Sequence, residues 1–205
     1  MKLFDRFDKV YCINLDRRPD RMEKFDSMVK ECDLGNYTRF SAIDGALIKD
    51  YVGHISLGAI GLIMSNLEII KKSIEDNLNT VLILEDDCYF TDEIKNIDTY
   101  FKALPDDWDM LYMGSNYSTT SLTEKINDKV LKLNSAYTTH FVAIKNTMFE
   151  TIYLELQRMD KQLDVLYCQL QINYNVYGFT PAIAKQRKDY SDIENVVVDY
   201  NQLIK

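Results

Sequence analysis

Val81 to Asp87 (VLILEDD) runs four aliphatic residues straight into three carboxylates. The aliphatics predict a buried strand, and acids at its end fall where open α/β sheets place their ligands. Three neighbouring negative charges at the edge of a core repel one another and lose hydration, so a positive partner must offset them. Mg²⁺ or Mn²⁺, held by carboxylate oxygen and shared with a substrate phosphate, meets that need. The same acids could instead close an ordinary strand and cap the next helix. Thr91 and Asp92, just ahead of a helical stretch, are better placed for capping, which leaves the three acids free for binding.

The elements that must position these acids alternate. Lys9 to Leu15 predicts a short buried strand, and Pro19 opens a helix with Met22, Phe25, Val29 and Cys32 at helical spacing. Tyr37 to Ile43 predicts a second strand ending at Asp44-Gly45, where the glycine permits a tight turn, so Asp44 also stands at a strand end. Between Leu57 and Asn77, Ile60, Ile63, Leu67, Ile70 and Ile74 recur at steps of three and four, the stripe of a helix packed on a sheet. Asp92 to Leu104 predicts a helix that stops at Pro105, and Asp109 to Gly114 a further strand. The rhythm changes near residue 115. Val130 to Leu133 and Tyr137 to Ile144 predict a hairpin or two edge strands, Thr147 to Met159 a helix, and Tyr174 to Ala184 a strand-rich tail. The pattern is that of an α/β sheet with an irregular second half.

A chain of 205 residues with 46% hydrophobic content suits one domain with a substantial core. Its net charge of -8 argues against a nucleic-acid surface, which needs clustered Lys and Arg. The first residues lack the apolar core of a signal peptide and no run is long enough to span a bilayer, so a soluble, cytoplasmic protein is expected. Cys12, Cys32, Cys88 and Cys168 are widely spaced without a Cys-x-x-Cys pair, and are expected as reduced core thiols.

Five blocks, YCINLDRRPDR (11–21), SAIDG (41–45), LGAIGLIMSN (57–66), LILEDD (82–87) and PAIAKQRKDYSDI (181–193), occur in an order that resembles glycosyltransferase family 25. That family includes bacterial lipopolysaccharide glycosyltransferases and collagen galactosyltransferases. The resemblance implies a single-domain GT-A fold over residues 1–205, a Rossmann-like mixed sheet flanked by helices. Residues to about 115 would bind the nucleotide-sugar, and 116–205 would supply the acceptor side and a C-terminal loop. The implied activity is metal-dependent transfer of a hexose from a nucleotide-sugar, in the first place a UDP-sugar, to a hydroxyl of a glycan or glycolipid, with Mn²⁺ or Mg²⁺ as cofactor.

The resemblance also implies roles for residues. Glu85 and Asp87 become metal ligands, with Asp86 facing the ribose or the surroundings of the metal. Asn14, Leu15, Arg17 and Arg21 fall where a GT-A fold places the donor's base and ribose, joined by Ala42 and Asp44. An amide inside the apolar run at Asn14 needs a hydrogen-bond partner in any case, and a uracil edge is one candidate. Gln186 and Asp192 fall in a loop near donor and metal, where Lys185, Arg187 and Lys188 could hold a diphosphate. His140 either adds an imidazole to the metal or is a satisfied strand histidine. If the anomeric centre inverts, a carboxylate must take the acceptor hydroxyl's proton; Asp164 is the candidate and Asp109 a weaker rival. Ser65-Asn66 stands where bacterial members often carry Ser-His, which implies a shifted acceptor preference.

Two other functions compete. A Mg²⁺-dependent phosphotransferase of the haloacid-dehalogenase type needs Asp-x-Asp directly after the strand, and Glu85 occupies the nucleophile's place. A non-catalytic or partner-dependent nucleotide-sugar-binding module, part of a multidomain or multi-enzyme glycan-building system, fits the short length better.

Overall fold

The computed structural model describes residues 1–117, 124–194 and 196–199, Tyr117 in its backbone alone. Apolar β1 (Lys9–Asn14) leads to α1 (Pro19–Glu31), which starts on Pro19 as the fixed proline φ favours. Next come β2 (Thr38–Ser41), α2 (Leu57–Glu75) and β3 (Thr80–Glu85). The Ser56 hydroxyl caps α2 by accepting from the Ala59 N–H. β4 (Cys88–Phe90), a short 3₁₀ turn (Asp92–Asn96), α3 (Ile97–Ala103) and β5 (Met110–Tyr112) follow.

The later part is mostly strand: β6 (Asn116–Tyr117), β7 (Glu124–Lys125), β8 (Val130–Lys132), β9 (Ala136–Tyr137) and β10 (Phe141–Lys145). Helices α4 (Asn146–Leu156) and α5 (Leu163–Leu170) precede β11 (Val176–Phe179), β12 (Ala184–Gln186), β13 (Asp189–Ser191) and β14 (Val196–Val198).

Eight strands form one mixed sheet in the order β2-β1-β3-β10-β5-β11-β8-β7. β1 runs parallel to both β2 and β3, whereas β10 is antiparallel to β3 and β5. The expected hairpin or edge pair at 130–144 is thus corrected. β10 is a central strand, and β8 pairs instead with β11 and β7. Among the described residues, β4/β12, β6/β9 and β13/β14 form three two-stranded ribbons.

Period-two alternation sorts the strand side chains onto the two sheet faces. Ile13, Val81, Ile83, Val142 and Ile144 pack with Ile60, Ile63 and Ile70 of α2 and Phe149 and Ile152 of α4. Cys12, Leu82, Leu84, Phe141 and Ala143 pack on the other face with Phe25 and Val29 of α1 and Tyr100 of α3. All four cysteines are free thiols; Cys12 and Cys88 are buried, Cys32 and Cys168 half-buried. Among the described residues no helix is long and apolar enough to cross a membrane.

Because β1, β2 and β3 are mutually parallel, their carboxyl ends, at Asn14, Ser41 and Glu85, point the same way. The backbone is drawn tight there. A Cβ on Gly45 would lie 1.8 Å from the Leu57 carbonyl oxygen, and one on Gly61 would lie 2.4 Å from that of Ile43. The start of α2 is thereby pressed against the turn carrying Asp44.

Candidate active site

A cavity of about 720 Å³ opens where these strands end. Asn14, Leu15, Arg17 and Arg21 line it from β1 and the start of α1, Ala42 and Asp44 from beyond β2, and Glu85, Asp86 and Asp87 from the end of β3. Asp164 reaches it from the first turn of α5, and Gln186 and Asp192 from the tail. His140, expected either at the metal or as a satisfied strand histidine, is missing from the wall. It is fully buried, and a Cβ on Gly114 would sit 2.9 Å from its Nε2. Burial pulls its pKa down to about 4, so the ring is neutral.

The three acids have different surroundings. Asp86 is clasped: Asn14 Nδ2 donates to its Oδ2 at 2.6 Å and Arg21 Nη1 to its Oδ1 at 3.1 Å. Asn14 also donates to the Arg18 carbonyl and accepts from Arg39 Nε. The partner its amide required is therefore the protein itself. Glu85 accepts from Thr139 Oγ1 at 3.0 Å. Asp87 keeps a buried Oδ1 without any partner. Desolvation raises the proton affinity of both Glu85 and Asp87, and the neighbouring negative charge adds to it; Arg21, Arg187 and Gln186 partly relieve Asp87.

Among the described residues no group of three or more His, Cys, Asp or Glu side chains is arranged to hold a metal ion. The donor set still fits a hard cation. Mg²⁺ and its like keep water and substrate phosphate as ligands and need only one or two protein carboxylates. Glu85 and Asp87 provide two, and the orphaned Asp87 oxygen needs a positive partner.

Arg17, Arg18 and Arg21 pair with acids at the end of β2 and in the tail. Arg17 bridges Asp44 at 2.8 Å and Asp192 at 2.6 Å, Arg18 holds Asp192 at 3.0 Å, and Arg21 reaches Asp189 at 3.3 Å. Arg21 also donates to the Tyr190 carbonyl. Residues 189–192 are thereby tied as a strap along the cavity. The expected diphosphate-binding cluster is corrected: Lys185, Arg187 and Lys188 are absent from the cavity wall. Arg187 donates to the Asp86 carbonyl, and Lys188 pairs loosely with Asp199 at 3.9 Å.

Asp164 accepts from the Val165 N–H at 2.7 Å, and burial raises its proton affinity. Asp109 lies at the start of β5, bonded to Thr147 and Asn175 away from the cavity. Ser65 lines the cavity but donates to the Gly61 carbonyl, and the Asn66 amide donates to that of Leu62. Thr139, Asp189 and Tyr190 are site residues that sequence reasoning passed over. Thr139 adjoins His140, and Asp189 and Tyr190 lie inside the last family-like block.

A large mixed sheet flanked by helices, with the cavity at the ends of its parallel strands, defines the GT-A type of fold. A solved glycosyltransferase involved in glycosylation of the major capsid of PBCV-1 matches it with a TM-score of 0.56 at 11% identity, covering 91% of this chain and 95% of that one. The profile of glycosyltransferase family 25 (LPS biosynthesis protein) matches residues 7–175, and the chain belongs to that family. Procollagen galactosyltransferase 1 of Danio rerio is 24% identical over 151 residues, 63% of this chain and 25% of the relative. The probable inactive glycosyltransferase 25 family member 3 of Bos taurus is 26% identical over 132 residues, 53% and 22% of the two chains. The chain thus spans a quarter or less of the length of these relatives.

Proposed function

We propose that this chain is a glycosyltransferase that moves a hexose from a UDP-sugar to a hydroxyl of a glycan or glycolipid, with Mg²⁺ or Mn²⁺ beside the donor. The observation that carries this reading is the convergence of Glu85, Asp87 and Asp164 in one cavity of a family 25 chain. The cavity volume falls within the range of small-molecule sites, roughly 300–1,000 Å³. A relative named for galactose transfer supports a hexose.

On this reading Asn14, Leu15 and Ala42 border the base and ribose, and Glu85 and Asp87 would hold the cation. When bound, that ion neutralises charge gathering on the departing diphosphate. Asp164 takes the proton of the acceptor hydroxyl as its oxygen bonds to the anomeric carbon. The bond from that carbon to the diphosphate oxygen breaks, and its electron pair leaves with the phosphate. Burial raises the proton affinity of Asp164, which strengthens it as a base.

Incubation with a panel of UDP-hexoses and Mn²⁺, with released UDP followed by mass spectrometry, tests the proposal. Consumption of one donor, abolished in Asp87→Ala, is expected. Phosphate release from a generic ester without any nucleotide-sugar would point to a phosphotransferase instead. A second reading, donor binding without catalysis or with an acceptor site completed by another domain, is favoured by the short span of the relatives and by one relative's name. Donor that binds yet is never turned over, even by hydrolysis, selects it.

A further inference from the structure

One stretch of the cavity wall carries neither the acids of β3 nor the arginines. It is built by the β6/β9 ribbon, in which Asn116 is registered against Tyr137, and by the N-terminal end of α5. Tyr137 is 40% exposed there, a large aromatic side chain on the cavity wall. Its hydroxyl lies beside Cys168 and Ser135. Asn116 and Gln162 line the same cavity, and among the described residues their amides have no hydrogen-bond partner.

The following residue explains the ring's outward position. Thr138 takes a φ of +71°, rare and costly for a β-branched residue, about 1–3 kcal/mol. This turn sends Tyr137 outward and Thr139 inward to Glu85. Such strain persists where a side chain must be aimed.

We propose that Tyr137, Asn116, Gln162 and Asp164 form the subsite for a pyranose ring of the acceptor. A pyranose has one face of axial C–H groups and a rim of hydroxyls. The apolar face stacks on the Tyr137 ring, the two free amides take rim hydroxyls, and one further hydroxyl meets the Asp164 carboxylate. This inference rests on the transferase reading for its direction, since the donor's nucleotide is assigned to the β1 and β3 side.

Binding of methyl β-D-galactopyranoside and methyl β-D-glucopyranoside, with mannitol as an acyclic control, can be read by saturation-transfer NMR in the presence of UDP. The wild type is expected to bind at least one glycoside and to ignore mannitol. Tyr137→Ala should weaken that binding roughly five- to tenfold, Tyr137→Phe should retain it, and UDP affinity should be equal in all three. The subsite is overturned if the wild type binds UDP but no glycoside, if mannitol competes equally, or if Tyr137→Ala binds glycosides as the wild type does. It is likewise overturned if Tyr137→Ala loses only the preference for UDP-hexose over UDP, which would assign the ring to the donor sugar. Failure of the wild type to bind UDP at all counts instead against the transferase reading.

Discussion

Asp87 and Glu85 hold their protons more tightly in the folded chain than unfolded, because burial and mutual charge penalise ionisation. Their contribution favours folding at acid pH and is lost as pH rises through their raised pKa values. Asp87→Asn should therefore raise the melting temperature of the metal-free protein by about 2–4 °C near pH 8. The gain should shrink toward about pH 5, while donor turnover is lost. A scanning-calorimetry series against pH reads both trends. Thr139 acts through Glu85: Thr139→Val should lower transfer roughly 10- to 100-fold, and Thr139→Ser should restore most of it in a steady-state assay. The acids were legible in the sequence because three charges directly after four aliphatics is a local pattern. The bond from Thr139 was not, since it joins residues 54 apart in the chain.

At the scale of elements, the strap of residues 189–192 and the start of α2 meet at Gly58. A Cβ there would stand 2.7 Å from the Asp192 carbonyl oxygen and 2.8 Å from the Ile193 Cα, both backbone atoms that cannot rotate away. Gly58→Ala should cost about 1–3 kcal/mol in a urea titration and should weaken nucleotide binding by moving Asp192 off Arg17. β1, α1, β2, α2, β3 and α4 could be read from period and caps within a residue or a few. β10 could not be placed. All but Lys145 of its five residues are buried, yet nothing local says that an antiparallel strand enters between β3 and β5. β4 was missed for a similar reason: its three residues become a strand only because Ala184–Gln186 pairs with them.

For the whole molecule, the two sheet faces with α2, α4 and α5 on one side and α1 and α3 on the other make the central strands the most stable unit. Hydrogen exchange should be slowest at Leu82, Leu84, Ala143 and Ile144, all fully buried, and fastest in the β13/β14 ribbon, whose residues are exposed or half-buried. The order of family-like blocks anticipated the fold. The arginine and aspartate ties that close the cavity could not be foreseen, because Arg17 and Asp192 lie 175 residues apart. The central claim is that Glu85 and Asp87 complete a metal-dependent nucleotide-sugar site, and calorimetric titration of UDP-hexoses with Mn²⁺ and then with EDTA tests it most directly. Binding of one UDP-hexose that disappears with EDTA and in Asp87→Ala is the predicted result. Equal binding by Asp87→Ala, or binding indifferent to EDTA, would contradict it.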